Sequence, residues 1–237
     1  MTAPLTPLRI STLFLDAGGV LCHPSWPRIS EALAAHGVPV PAHVLAAAEP
    51  HAKREIDRAS VVRVTDDDSR GWMYFNTVLR HAGVARCEAT DAALALVREY
   101  HQSENLWEVV PPDVVPALQQ LRALGLRLVV VSNANGRLRR LFDRVGLAAY
   151  FDVVLDSFEW GVEKPDPRLF EIALERSGAD RARTAHVGDL FHIDVAGARA
   201  AGLLEGVLLD SADLYDEVDC RRVRTLDELA AAIQLAH

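Results

Sequence analysis

The sequence predicts an open α/β fold, a doubly wound parallel sheet with a separate block of helices inserted after its first strand. Three observations lead there. Five short runs of almost wholly apolar residues stop at Asp, Ser, Asn or Gly. Helical stretches, most of them ended by glycine, alternate with those runs. Between the first run and the second, residues from about 24 to 108 show helical spacing and no strand pattern. Short all-apolar strands suit a sheet covered on both faces, which is the condition of parallel strands. Alternation with helices supplies the right-handed crossovers such a sheet needs.

Taken in order, the first strand is Ile10 to Leu15 and ends at Asp16-Ala17-Gly18-Gly19. The insert follows, with helices over Ile29 to His36, Ala42 to Arg58, Trp72 to His81 and Thr90 to His101. Its edges fall near Pro24 and the Pro111-Pro112 pair, so the expected domains are a core of residues 1–23 plus 109–237 and a helical cap of residues 24–108. Asp113 then caps a helix through Leu124, which Gly125 stops. The second strand, Leu126 to Val131, ends at Ser132-Asn133, and a helix from Arg137 to Val145 ends at Gly146. The third strand, Val153 to Leu155, ends at Asp156-Ser157, before a helix from Pro167 to Ser177 with Gly178 behind it. The fourth, Ala185 to Val187, ends at Gly188-Asp189; a helix from Asp194 to Ala201 follows and stops at Gly202. The fifth, Val207 to Leu209, ends at Asp210, and a helix from Leu226 to Ala236 closes the chain.

Composition narrows the function classes. At 237 residues and 50% hydrophobic the chain can bury a sizeable core, and 24% charged residues is ordinary for a globular protein. A net charge of -8 with no dense Lys/Arg run repels polyphosphate, so nucleic acid is not an expected partner. Cys22, Cys87 and Cys220 have neither disulfide-framework nor zinc-site spacing. The N-terminal stretch lacks the layout of a signal peptide, and no apolar run approaches the ~20 residues that span a bilayer. No membrane association and a cytoplasmic location are the expectations.

In open parallel sheets, ligands gather at the carboxyl ends of strands, where Asp16, Ser132 and Asp189 fall. A carboxylate there can attack a phosphoryl group and form an aspartyl-phosphate that water later cleaves. Because nucleophile and substrate are both anionic, the site needs fixed positive charge and directed donors. Lys164 can supply the charge, and Ser132 and Asn133, with their backbone N–H groups, can hold phosphoryl oxygens. Asp16, Asp189 and Asp194 at one sheet edge repel one another unless a hard divalent cation with oxygen ligands neutralises them, and magnesium is the ordinary solution. Singly, each residue has a blander reading: Asp16 a turn residue, Ser132-Asn133 a helix cap, Lys164 a solvated loop lysine, Asp189 and Asp194 helix caps. Asp66-Asp67-Asp68 reads as a loop entering a helix N-terminus rather than a metal cluster. Trp72, Tyr74, Phe75 and Trp107 read as cap core, with Trp26 a substrate contact at the hinge. His186 and His192 show no ligand spacing, and His192 reads as a surface residue.

Four signatures in order carry a resemblance. They are Asp16-Ala17-Gly18-Gly19-Val20-Leu21, then Val131-Ser132-Asn133, then Gly161-Val162-Glu163-Lys164-Pro165, then Gly188-Asp189 with Asp194, Gly197-Ala198 and Ala201-Gly202. This set resembles the haloacid dehalogenase superfamily over nearly the whole chain, in the subfamily whose helical cap follows the first motif. The resemblance implies a phosphatase-type hydrolase acting on a small phosphorylated metabolite, with the cap closing over the substrate. It makes Asp16 the nucleophile with Lys164 beside it, and Ser132, Asn133 and Lys164 the substrate-binding residues. Magnesium would be held by Asp16, Asp189 and the carbonyl of Gly18, with Asp194 supporting through water or Lys164.

One position departs from the pattern. The family's phosphatases carry a general acid two residues past the nucleophile, where this chain has Gly18. Losing such a group typically costs about 10²–10⁴ in rate. Either the leaving group needs no proton, as in an acyl or anomeric phosphate, or His23 substitutes, or the protein binds phosphate with little or no catalysis. 2-Haloacid dehalogenation also dispenses with that acid, but it requires no metal, and a metal-binding carboxylate such as Asp189 would hinder a carboxylate substrate.

Overall fold

The computed structural model describes residues 7–235. The chain divides into two compact units, with breaks between Cys22 and His23 and between Val109 and Val110. The unit formed by the two ends of the chain carries eight strands: β1 Leu8–Ile10, β2 Thr12–Leu15, β3 Arg127–Ser132, β4 Val153–Asp156, β5 Thr184–Gly188, β6 Glu205–Leu209, β7 Arg221–Val223 and β8 Ile233–Leu235. Six of them make one sheet in the order β4-β3-β2-β5-β6-β7, every neighbouring pair parallel. Leu15 lies opposite Val130 of β3 and Val187 of β5. The carboxyl ends of the three central strands therefore come out side by side.

This is the doubly wound core that the apolar runs predict, and burial explains it. Phe14, Val129, Val131 and Leu155 from the strands pack with Leu169, Phe170 and Ala173 of the helix Pro167–Ser177 and with Ala198. Each large apolar side chain so buried stabilises the fold by about 1.5–3 kcal/mol. That helix starts at Asp166, whose carboxylate accepts the Arg168 N–H at 2.9 Å, and ends at Gly178 with φ 63°, a left-handed conformation that suits glycine.

Several expectations need correction. The first run is two strands, because Ser11 leaves the ladder: its N–H bonds Arg183 O at 2.9 Å and its carbonyl accepts the Arg127 N–H at 3.0 Å. β1 instead pairs in parallel with β8. The closing helix accordingly stops at Ala232, where Ile233–Leu235 turns to strand; Ala236 lies outside the described residues. β7 has no counterpart in the sequence reading, since an edge strand with two arginines lacks an apolar run. Arg221 pairs across it with Glu205 at 2.9 Å. Asp113 precedes the helix Val114–Ala123 but makes no side-chain cap, its backbone being already helical. The stretch after Asp189 opens as a wide-turned π-helix, Phe191–Val195, before the α-helix Ala196–Ala200.

The unit from His23 to Val109 is helical: Trp26–Ala35, Ala42–Ile56, Ala59–Val62, Asp67–His81 and Glu88–Ser103. Its ends are tied together, with the His23 N–H on Val109 O at 2.8 Å and the Val109 N–H on His23 O at 3.1 Å. Ile29 and Leu33, Tyr74 and Val78, Leu94 and Val97 recur at helical spacing and meet in one core with Trp26 and Leu106. Trp72, Tyr74, Phe75 and Trp107 stack around it. Asp66 caps the fourth of these helices through the Ser69 N–H at 2.9 Å. Among the described residues no helix is long and apolar enough to cross a membrane.

Candidate active site

The strand order steps from β2 to β3 on one side and to β5 on the other, so the crevice of this sheet opens at the end of β2. Asp16 is the first residue beyond that strand, and its N–H still bonds Val187 O at 2.9 Å. Its side chain folds back, so that Oδ1 accepts the Ala17 N–H at 2.8 Å. The following turn is closed by the Leu21 and Cys22 N–H groups on Ala17 O, both at 2.9 Å, and the Gly19 N–H on Cys22 O at 2.8 Å. No backbone N–H among the described residues bonds the Gly18 carbonyl. Cys22 itself is buried, and burial pushes its thiol up to about 12, so it offers no thiolate.

Lys164 reaches the same place from the loop after β4. Its side chain is 1% exposed, and its ammonium lies 2.9 Å from Asp16 Oδ1 and 2.7 Å from Asp194 Oδ1. Asn133 holds the lysine from behind: Oδ1 accepts the Lys164 N–H at 2.7 Å and Nδ2 donates to Lys164 O at 3.0 Å. The Asn133 side-chain amide is thus committed to the lysine backbone. Ser132 ends β3, buried, with its hydroxyl on Asn133 O at 3.3 Å. The loop beyond is fastened by the Ala134 N–H on Ser157 Oγ at 3.1 Å and the Leu138 N–H on Asp156 Oδ2 at 3.2 Å.

Asp189 and Asp194 follow β5. Ligand atoms of Asp16, Asp189 and Asp194 all lie within 4.8 Å of one another, and all three residues are buried. Asp194 has its oxygens committed: Oδ1 to Lys164 and to His186 Nε2 at 2.9 Å, Oδ2 to the Leu190 N–H at 3.1 Å. Gly188 makes room for it, because a Cβ there would sit 2.0 Å from Asp194 Cγ.

Charge and burial pull these groups apart. Burial pushes Asp16 up to about 6; Lys164 opposes that shift while Asp194 and Asp189 add to it. At Asp194 burial acts the same way but Lys164 and His186 outweigh it, holding the carboxyl well below the usual range. Lys164 is held above its ordinary value by Asp16 and Asp194 although burial works to lower it. A lysine that pairs with both carboxylates should lower both. It pulls both down, but at Asp16 burial and the acidic neighbours outweigh it, whereas Asp194 has extra donors beside it. Three carboxylates against one ammonium leave two negative charges, the charge of one divalent cation. An all-oxygen donor set with that deficit fits a hard ion such as magnesium.

His23 lies in the helical unit, its Nδ1 3.9 Å from Glu49 Oε1. His186 is the residue the sequence reading missed. Spacing could not find it, but a polar residue inside an all-buried strand was a signal, since such a group needs a buried partner.

Comparison with known proteins adds the following. A family model for haloacid dehalogenase-like hydrolases matches residues 10–202. The mouse "Haloacid dehalogenase-like hydrolase domain-containing protein 3" is 38% identical over 139 residues, 59% of this chain and 55% of that protein. The glyceraldehyde 3-phosphate phosphatase of Methanopyrus kandleri is 36% identical over 133 residues, 55% of this chain and 56% of that protein. The chain spans about half the length of the curated relatives it matches. Among solved structures, the HAD-hydrolase YfnB of Bacillus subtilis bound to magnesium superposes with TM-score 0.68 at 18% identity, covering 94% of this chain and 98% of that one.

Proposed function

We propose, since this chain belongs to the haloacid dehalogenase-like hydrolases, that it hydrolyses small phosphorylated metabolites through an aspartyl-phosphate on Asp16. One observation carries the reading: a buried nucleophile-grade carboxylate shares a fully buried lysine with a second carboxylate, 2.9 and 2.7 Å away, while a third stands within 4.8 Å. The phosphatase named among the relatives supports the substrate class.

In this proposal Asp16 Oδ1 is engaged by Lys164 and the Ala17 N–H, and Oδ2 attacks phosphorus. The P–O bond to the organic group breaks and its oxygen leaves with the electron pair. Lys164 and the backbone N–H groups after β2 and β3 hold the charge on the phosphoryl oxygens, with the Ser132 hydroxyl beside them. Water then attacks the phosphorus of the acyl phosphate, inorganic phosphate departs, and Asp16 is restored as carboxylate. Asp16, Asp189 and the Gly18 carbonyl would hold magnesium, which when bound supplies positive charge against the carboxylates and the phosphoryl group.

Gly18 leaves the departing oxygen without an adjacent acid. An acyl or anomeric phosphate needs none. Otherwise His23 serves, one residue beyond Cys22, which bridges Gly18; histidine can both give and take a proton near neutral pH. His23→Ala then lowers turnover of alkyl phosphates and leaves acetyl phosphate unaffected; alkyl phosphate turnover unchanged by the substitution would exclude His23. A cytoplasmic location goes with a metabolite substrate.

The test of the main reading is turnover of a phosphate panel, including acetyl phosphate and para-nitrophenyl phosphate, with and without magnesium. Mass spectrometry should find phosphate on Asp16 with at least one reactive donor. Binding of phosphate without turnover would favour a non-catalytic phosphate-binding protein. Gly18 also keeps 2-haloacid dehalogenation as a second reading, and halide release from a 2-haloacid in the presence of chelator would establish that instead.

A further inference from the structure

His186 stands in β5 among Thr184, Ala185, Val187 and Gly188, and its ring is wholly buried. Nε2 lies 2.9 Å from Asp194 Oδ1, while Nδ1 is buried with no hydrogen-bond partner among the described residues. The Phe170 ring meets the imidazole edge-on, centroids 4.9 Å apart. Burial holds the imidazole below its ordinary value. A neutral ring beside a carboxylate oxygen carries its proton on Nε2, leaving Nδ1 as the bare acceptor. An apolar side chain would fill this place without an unpartnered nitrogen, so packing alone does not explain a histidine here.

We propose that His186 is a positioning residue that, through its Nε2–H, fixes Asp194 on Lys164 and so leaves Asp16 as the carboxylate available to attack. The inference rests on the phosphoryl-transfer reading above. Asp194 receives donors from His186, Lys164 and Leu190, three directions that together fix its carboxylate. The ammonium is anchored at the better-supported acceptor, 2.7 Å away, and touches Asp16 from that anchor. Without the imidazole N–H, Asp194 loses one of its two donors on Oδ1. Asp194 is then no longer held in place under the ammonium and can turn away from it, which leaves Lys164 to lean on Asp16 and compete for the lone pairs that attack phosphorus.

Two variants and one spectrum test this. His186→Leu keeps the volume and removes the donor, whereas His186→Gln places an amide N–H near the former Nε2. Loss of a hydrogen bond to a charged group predicts kcat about tenfold lower in His186→Leu with KM little changed, and most of kcat restored in His186→Gln. Melting curves confirm that both variants are folded. An unchanged kcat in His186→Leu, or an equal loss in both variants, would overturn the assignment. On the metal-free protein, nitrogen NMR of ¹⁵N-histidine should show one imidazole, absent from His186→Leu, locked as the Nε2–H tautomer. An Nδ1–H tautomer there would overturn the proposal whatever the substrate. If the wild-type protein hydrolyses no phosphate at all, the phosphatase reading fails by itself, and the spectrum still decides whether His186 holds Asp194.

Discussion

Each unit of this protein buries a carboxylate, Glu49 in one and Asp16 in the other, and the two meet opposite surroundings. In the helical unit Glu49 is 6% exposed and surrounded by donors: the Tyr74 hydroxyl at 2.8 Å, Lys53 Nζ at 3.0 Å and His23 Nδ1 at 3.9 Å. Burial works to raise its carboxyl, but Lys53 and His23 hold it well below the usual range. At the end of β2 the balance is reversed: Asp16 is pushed up to about 6 by burial and by its acidic neighbours. A compensated carboxylate stabilises the surrounding helices. An undercompensated one costs stability and is kept where a cation or phosphoryl group can meet it, which makes charge deficit, rather than burial, the mark of the reactive site.

The comparison breaks most visibly at Asp16. Asp16→Asn should abolish turnover, by about 10⁴-fold or more, and should also raise the melting temperature of the metal-free protein. The sign follows from the raised value: the folded state disfavours the anion, so the penalty grows as pH rises above the usual Asp range and is complete above about 6. The gain should therefore be larger at pH 8 than at pH 4, at roughly 2–4 °C per kcal/mol. A destabilised Asp16→Asn protein at pH 8 would contradict the charge-deficit account.

Lys164→Met comes next. It removes the ammonium that pairs with both Asp16 and Asp194, and breaking such a buried pair costs about 3–5 kcal/mol, read as a lowered denaturant midpoint. Turnover should fall by roughly 10²–10³-fold. Magnesium should act in the opposite direction, raising the melting temperature by the equivalent of about 2.7 kcal/mol at a hundred times its dissociation constant. Asp189→Asn should erase that shift, and a wild-type protein indifferent to magnesium would remove the metal from the proposal.

The smallest effect sharpens the other half of the comparison. Glu49→Gln should cost about 1–3 kcal/mol at neutral pH. Because the Glu49 carboxyl is held low, its contribution is fully present above the ordinary value of 4.5 and is lost as pH falls through the depressed one. Stability curves of wild-type and Glu49→Gln proteins should separate at pH 7 and converge in strong acid.

Much of this was legible from local pattern. The helix Pro167–Ser177 and its Gly178 stop stand where the spacing put them, and strand ends deliver Asp16, Ser132 and Asp189 to one edge. The expectations that failed share a cause. Ser11 divides one apolar run between two sheets, β7 pairs through charged residues, and Ile233 leaves a helical pattern for a strand. In each case a distant partner overrode the local preference. The partners of the Asn133 amide and of His186 were out of reach of local pattern for the same reason, since they lie 31 and 8 residues away.

By itself the sequence determined the central apolar strands and most of the helices, the insertion of a helical block, and that Asp16, Ser132 and Asp189 end up at strand termini. Those features depend on runs of a few residues, where apolar periodicity and glycine act directly on the backbone. Only the tertiary structure decided how one ammonium is divided between Asp16 and Asp194, which side chain supports Asp194, and what occupies the Asn133 amide. Coulombic and hydrogen-bond energies depend on separations of about 3 Å, and chain spacing cannot specify such distances between residues as far apart as 16, 164 and 194.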